Sequence, residues 1–141
     1  MDRTASAIWH GDLKTGKGTI STQSTTLKDA QYSFKSRFEE GVGTNPEELI
    51  AAAHAGCFTM ALSAQLTGDN HPPNTLETTA AVTLETTDAG PTVTKIHLIT
   101  RAQVPSIGVD KFNELAKKAK EGCPISRLLA AAEITLDARL V

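Results

Sequence analysis

The chain has 141 residues, the size of one domain (residues 1–141), with 14 basic and 16 acidic side chains and a net charge of −2. That near-balance argues against nucleic acid as the main partner, and 40% hydrophobic with 21% charged residues argues against a disordered chain. A chain this long buries a core without disulfide staples; with 4% aromatic residues, that core rests on Ala, Leu, Ile and Val.

Met1 to His10 carries Asp2 and Arg3 and lacks the apolar run of a signal peptide. Ala5, Ala7 and Trp9 alternate with more polar neighbours, and Gly11-Asp12 marks a turn. A second strand is expected at about Gly18 to Ser24. A third places Tyr32, Phe34, Ser36 and Phe38 on one face, with Gln31, Ser33, Lys35 and Arg37 on the other. Gly41-Val42-Gly43 breaks that pattern. Asn45 then suits an N-cap, Pro46 a first helical position, and Glu47 and Glu48 the positive end of a helix dipole. The helix should run to about Leu66 and stop near Gly68. It is apolar or small almost all round, which predicts burial on most sides. His54, Thr59, Ser63 and Gln65 make it a poor membrane span, so no membrane partner is expected and the compartment reads as cytoplasmic.

After His71-Pro72-Pro73-Asn74, two alternating runs flank Asp88-Ala89-Gly90-Pro91 and read as a hairpin of long strands. Asp110 to Glu121 is an amphipathic helix with Phe112, Leu115, Ala116 and Ala119 on one face; its lysines read as a solvated face. Gly122 ends it, and Pro124 starts a new turn with Cys123 at its N-cap. Ile134, Leu136, Ala138 and Leu140 form a last strand. The order β-β-β-α-β-β-α-β predicts an α+β fold with mainly antiparallel sheet.

Two cysteines lie 66 residues apart. Cys57, inside the apolar helix, reads equally as a small core hydrophobe or as a reactive thiol. The chain has no CxxC and no histidine spacing for zinc. Burial raises a thiol pKa, so a reactive Cys57 needs a cation brought to it. Arg37 is the candidate, against its plain reading as a surface arginine. Glu47 and Glu48 are candidates to orient Arg37, against their plain reading as helix-start acids. His54, one turn before Cys57, reads as a polar residue on a helix edge rather than a base.

Three segments carry a resemblance: Gly43-Thr44-Asn45-Pro46-Glu47-Glu48-Leu49-Ile50, Ala55-Gly56-Cys57-Phe58 and Gly122-Cys123-Pro124-Ile125-Ser126. With Trp9-His10-Gly11-Asp12, Gly16-Lys17-Gly18, Arg37-Phe38-Glu39 and Ile134-Thr135-Leu136-Asp137, they closely resemble the OsmC (osmotically inducible protein C) family of thiol peroxidases over nearly the whole chain. The position of Arg37 resembles OsmC proper more than the sister Ohr (organic hydroperoxide resistance) group. The resemblance implies an intertwined homodimer with two long central helices wrapped by sheet. It implies reduction of organic hydroperoxides and hydrogen peroxide, in defence against oxidative and osmotic stress, without metal or bound cofactor. Carried over, Cys57 is the peroxidatic thiolate and Cys123 the resolving thiol that closes a disulfide with it. Arg37 lowers the Cys57 pKa, Glu47 holds Arg37, and a lipoyl-type dithiol reduces the disulfide. Two other classes suit the same pattern. One is a thioester hydrolase with Glu47 or Glu48 as its carboxylate, and the other a non-catalytic small-molecule carrier.

Overall fold

The computed structural model describes residues 1–141, which form two compact units, Met1–Leu49 and Ile50–Val141. In chain order the elements are β1 (Ala5–His10), β2 (Lys17–Thr22), β3 (Ala30–Ser33), α1 (Phe34–Phe38), α2 (Pro46–Gly68), β4 (Thr75–Thr87), β5 (Gly90–Gln103), α3 (Val109–Gly122), α4 (Pro124–Leu128) and β6 (Glu133–Leu140). The fold is α+β, with one three-stranded sheet in each unit.

In the first unit β1, β2 and β3 pair antiparallel in that order. Gly18 of β2 lies beneath Trp9 and Tyr32, whose rings pack 5.3 Å apart; a Cβ at residue 18 would run into both rings. The third strand is shorter than its alternation predicts, because the chain turns into α1 at Phe34. The reason is local. Ser33 and Ser36 form a reciprocal cap, the Ser36 amide donating to Ser33 Oγ (3.2 Å) and the Ser33 amide to Ser36 Oγ (2.9 Å). The helical spacing also stacks Phe34 on Phe38 at 4.9 Å. Arg37 therefore sits on a helical turn, not on the polar face of a strand. Helix α2 starts as its sequence predicts, with the Glu48 amide donating to Asn45 Oδ1 at 2.8 Å.

In the second unit β4 and β5 form the expected hairpin, with a register shift between Thr83 and Leu84. Strand β6 pairs with β5 in parallel, the one parallel strand pair in a mainly antiparallel fold, from Lys95 opposite Glu133 to Ala102 opposite Leu140. Parallel pairing needs a long crossover, and α3 with α4 supplies it. The buried face of β5 is Ile96, Leu98, Thr100 and Ala102; Leu98 and Ala102 pack with Phe112, Leu115, Ala116 and Ala119 of α3 and with Phe58, Leu62 and Leu66 of α2. By length and composition α2 is apolar enough to cross a membrane. Its buried ridge, His54, Phe58, Leu62 and Leu66, lies every fourth residue and supplies three members of this core; the rest of the helix is half-buried or exposed, not buried on most sides as its composition predicts.

Candidate active site

The first unit holds the charged pair. Arg37 Nη2 donates to Glu47 Oε1 at 2.7 Å, and Arg37 Nε lies 3.2 Å from both carboxylate oxygens. This is the two-pronged geometry a guanidinium offers a carboxylate. The loop between α1 and α2 is tied down around it. Ser36 Oγ donates to the Thr44 carbonyl (2.8 Å), Asn45 Nδ2 to the Ser36 carbonyl (3.0 Å), and the Thr44 amide to the Gln31 carbonyl (2.8 Å). Gly43 makes that approach possible: its φ is +118°, and a Cβ there would collide with the Gln31 carbonyl. Of the two candidate acids, Glu47 takes Arg37, while Glu48 accepts from Thr44 Oγ1 at 3.2 Å. Arg37 is one-third exposed, so its guanidinium is accessible and already oriented.

Beside the pair is a pocket of about 270 Å³ lined by Trp9, Leu13, Tyr32, Phe34, Phe38 and Pro46, with Ser33 and Arg37 at its polar side. Arg37 also lies over the Phe38 ring, 5.1 Å from its centre. An apolar, mostly aromatic wall with one oriented cation suits a small ligand with an alkyl or aryl tail and a polar head.

The second unit holds both thiols. Cys57 of α2 and Cys123, the N-cap of α4, are free, and their sulfurs are 3.1 Å apart. A disulfide bond is about 2.05 Å long, so a closure of roughly 1 Å joins them. Cys123 is fully buried and Cys57 partly exposed, so a reagent reaches Cys57 first. Burial pushes the Cys57 thiol up; the Ile125 amide opposes the rise and the neighbouring Cys123 adds to it. Cys123 is held below the ordinary cysteine value. Burial works against this, but the Ser126 amide, the Cys57 thiol, the Ser126 hydroxyl and the Ile125 amide outweigh it. No cation takes part in either shift. Cys57 thus has a thiol partner within its own unit but no charge to make it a thiolate.

His54 is not on a helix edge. It is fully buried, with Nε2 2.7 Å from Ser126 Oγ and Nδ1 without a partner. Sequence reasoning gave Ser126 no role. The available signal was the equal three-residue spacing of His54 to Cys57 and of Cys123 to Ser126, which puts each pair on one side of a helical turn.

Residues 39–139 match the sequence model of the family described as OsmC-like protein. Peroxiredoxin OsmC of Escherichia coli (strain K12) is 50% identical over 140 residues, covering 99% of this chain and 97% of that protein, and its counterpart from Shigella flexneri matches equally. The fold is shared with the organic hydroperoxide resistance protein OhrB of Bacillus subtilis, at 24% identity and a TM-score of 0.75, covering 96% of this chain and 98% of that one. An organic hydroperoxide resistance protein OsmC from Legionella pneumophila is 25% identical with a TM-score of 0.70, covering 96% of both chains. The family match over most of the chain and the half-identical full-length relative lead to one conclusion: this protein belongs to the OsmC family.

Proposed function

We propose that this protein is a thiol-dependent peroxidase that reduces organic hydroperoxides, and hydrogen peroxide, as a cytoplasmic homodimer of single OsmC-like domains. The observation that carries this reading is the pair of free sulfurs 3.1 Å apart, one reachable and one buried. The Cys57 thiolate attacks one peroxide oxygen and the O–O bond breaks. Cys57 becomes a sulfenic acid, and the departing alkoxide takes a proton to leave as an alcohol. Cys123 then attacks the Cys57 sulfur, the S–O bond breaks, and water and a disulfide result. A lipoyl-type dithiol restores both thiols by exchange. The pocket beside Arg37 accepts the organic tail, and the guanidinium stabilises both the thiolate and the developing alkoxide. Glu47 holds that guanidinium, which occupies one of the two carboxylates of the hydrolase reading.

Arg37 and Glu47 are assigned to the partner's Cys57. Ten residues of helix separate Glu47 from Cys57, about 15 Å along the axis and roughly 80° in azimuth. Antiparallel packing of two α2 helices brings Glu47 of one chain to Cys57 of the other. The exposed side of α2 favours this packing: Ala53, Gly56 and Ala64 are small, Gly56 has open space where a Cβ would stand, and Met60 is 77% exposed.

Counting free thiols after reduced protein meets one equivalent of cumene hydroperoxide tests the reading. The wild type should lose both thiols and form the Cys57–Cys123 disulfide. Cys123→Ser should consume about one peroxide per chain and stall as a sulfenic or higher acid. Cys57→Ser should fall to the uncatalysed background. Turnover that survives Cys57→Ser would overturn the peroxidase reading.

A further inference from the structure

Helix α2 and the first turn of α4 meet through two cross-links of the same kind. Residues 54 and 57 are one turn apart on α2, and residues 123 and 126 are one turn apart around the start of α4. His54 reaches Ser126 at 2.7 Å, and Cys57 reaches Cys123 at 3.1 Å. Three of the four, His54, Ser126 and Cys123, are buried. The peroxidase reading uses only the thiol rung; the His54–Ser126 rung has no part in it.

The proton positions on that rung follow from what surrounds His54. Burial pushes its pKa down, so the imidazole is neutral at physiological pH and carries one N–H. Nδ1 has no partner. A proton there would be a buried, unsatisfied donor, a costly and rare arrangement. The proton therefore belongs on Nε2, which donates to Ser126 Oγ. With that oxygen accepting from His54, the Ser126 hydrogen is free to turn elsewhere. Ser126 is the third helical residue after the N-cap Cys123, one turn on from it, and its amide and hydroxyl are among the groups that hold the Cys123 thiol low.

We propose that His54 and Ser126 form a clamp that makes Cys123 a competent resolving nucleophile: His54 fixes the Ser126 hydroxyl, which donates its hydrogen to the Cys123 sulfur. The proposal rests on the peroxidatic and resolving roles given above to Cys57 and Cys123. In the resolving step the Cys123 thiolate forms the S–S bond with the Cys57 sulfenic acid and the S–O bond breaks. The hydroxide leaves with its electron pair and takes up the proton that Cys123 had released. Cys123 sulfur is oxidised and Cys57 sulfur reduced by the same amount. Ser126 and His54 exchange no atoms and act by positioning. The titratable group that touches the Cys123 sulfur is Cys57.

Two measurements separate the clamp from the peroxidase reading. The first uses Cys57→Ser, which silences the peroxidase and leaves Cys123 as the single thiol. The pH profile of Cys123 alkylation by iodoacetamide should move up by about one unit, a tenfold loss of thiolate, when Ser126→Ala is added. It should return with Ser126→Thr, which keeps the hydroxyl. It should move part of the way with His54→Leu, which keeps the bulk and loses the N–H. The second measurement follows sulfenic acid formation and disulfide closure by stopped flow in chains with both cysteines. Ser126→Ala should slow closure about tenfold more than it slows the first phase, with Ser126→Thr restoring it. An unmoved alkylation profile in Ser126→Ala, or equal defects in the Ala and Thr variants, would overturn the clamp. Absence of any first phase in the wild type would instead overturn the peroxidase reading. If His54→Leu fails to fold, the Ser126 pair of variants decides.

Discussion

The two units of the chain differ in what they bury. Ile50–Val141 encloses a full apolar core, including Phe58, Leu62, Leu66, Leu98, Phe112 and Leu115. Met1–Leu49 buries no apolar side chain: only Gly18 and Ser36 are buried, while Ile8, Leu13, Phe38 and Val42 are 54%, 65%, 42% and 81% exposed. The chemistry divides the same way. The cored unit holds two thiols with no cation acting on Cys57, and the open unit holds an oriented cation and no thiol. An apolar surface left in water is unfavourable, and the proposed homodimer would cover it with a second copy of the chain.

The sharpest way to break this contrast is by large-to-small substitution in each unit. Phe58→Ala empties a fully buried site and should cost about 3–5 kcal/mol. Phe38→Ala, at a partly exposed site, should cost at most about 1 kcal/mol of stability. It should instead raise the KM for bulky aryl hydroperoxides, since Phe38 lines the pocket beside Arg37. Chemical denaturation of each variant, with peroxide kinetics on the second, checks both. Equal losses of stability would mean that the first unit has a core of its own.

The electrostatic half of the contrast predicts a smaller effect. Burial raises the Cys57 pKa and the neighbouring Cys123 adds to the rise, so a cation must lower it for a thiolate to exist at neutral pH. Arg37→Ala removes the cation and should move the pKa above the ~8.5 of a free thiol. The rate at pH 7 should then fall about tenfold for each unit of displacement and recover as the pH passes the new pKa. Arg37→Lys should rescue in part, because an ammonium keeps the charge and loses the planar fork. Glu47→Gln leaves Arg37 in place but unpaired and should cost least, about three- to tenfold, without a comparable shift in the pH profile. Thiolate absorbance titrated beside the pH–rate profile reads each effect. An unshifted Cys57 pKa in Arg37→Ala would return Arg37 to the status of a surface residue.

Much of this arrangement was legible in the sequence, and the misses have physical causes. Asn45-Pro46-Glu47-Glu48 marks the start of α2, and the Phe112, Leu115, Ala116, Ala119 face marks the buried side of α3; both are local signals, and both match the structure. The third strand was overextended because a two-residue alternation through Phe34 to Phe38 competes with the Ser33–Ser36 cap, and the cap wins. The direction of β6 is not written in its alternation, since Ile134, Leu136 and Ala138 face one way whether the strand runs up or down. His54 was misplaced for a related reason. A helix that is apolar almost all round does not declare its inward ridge, and here the ridge is 54, 58, 62 and 66. Arg37, Glu47 and Glu48 stand out as candidates from the residues themselves, and the resemblance is what favours Glu47 over Glu48. The structure pairs Arg37 with Glu47 in the first unit; the roles of both toward Cys57 belong to the proposed function.

The central claim is that each site draws its thiols from one chain and its arginine–glutamate pair from the other. Mixed dimers of Cys57→Ser and Arg37→Ala chains, unfolded and refolded together and confirmed by mass, test it most directly. Each mixed dimer would then have one site with both defects and one with neither. Activity in the mixed fraction should therefore return to about half the wild-type value per dimer, although each parent is impaired. Mixed dimers no more active than the average of their parents would mean that Arg37 serves the Cys57 of its own chain.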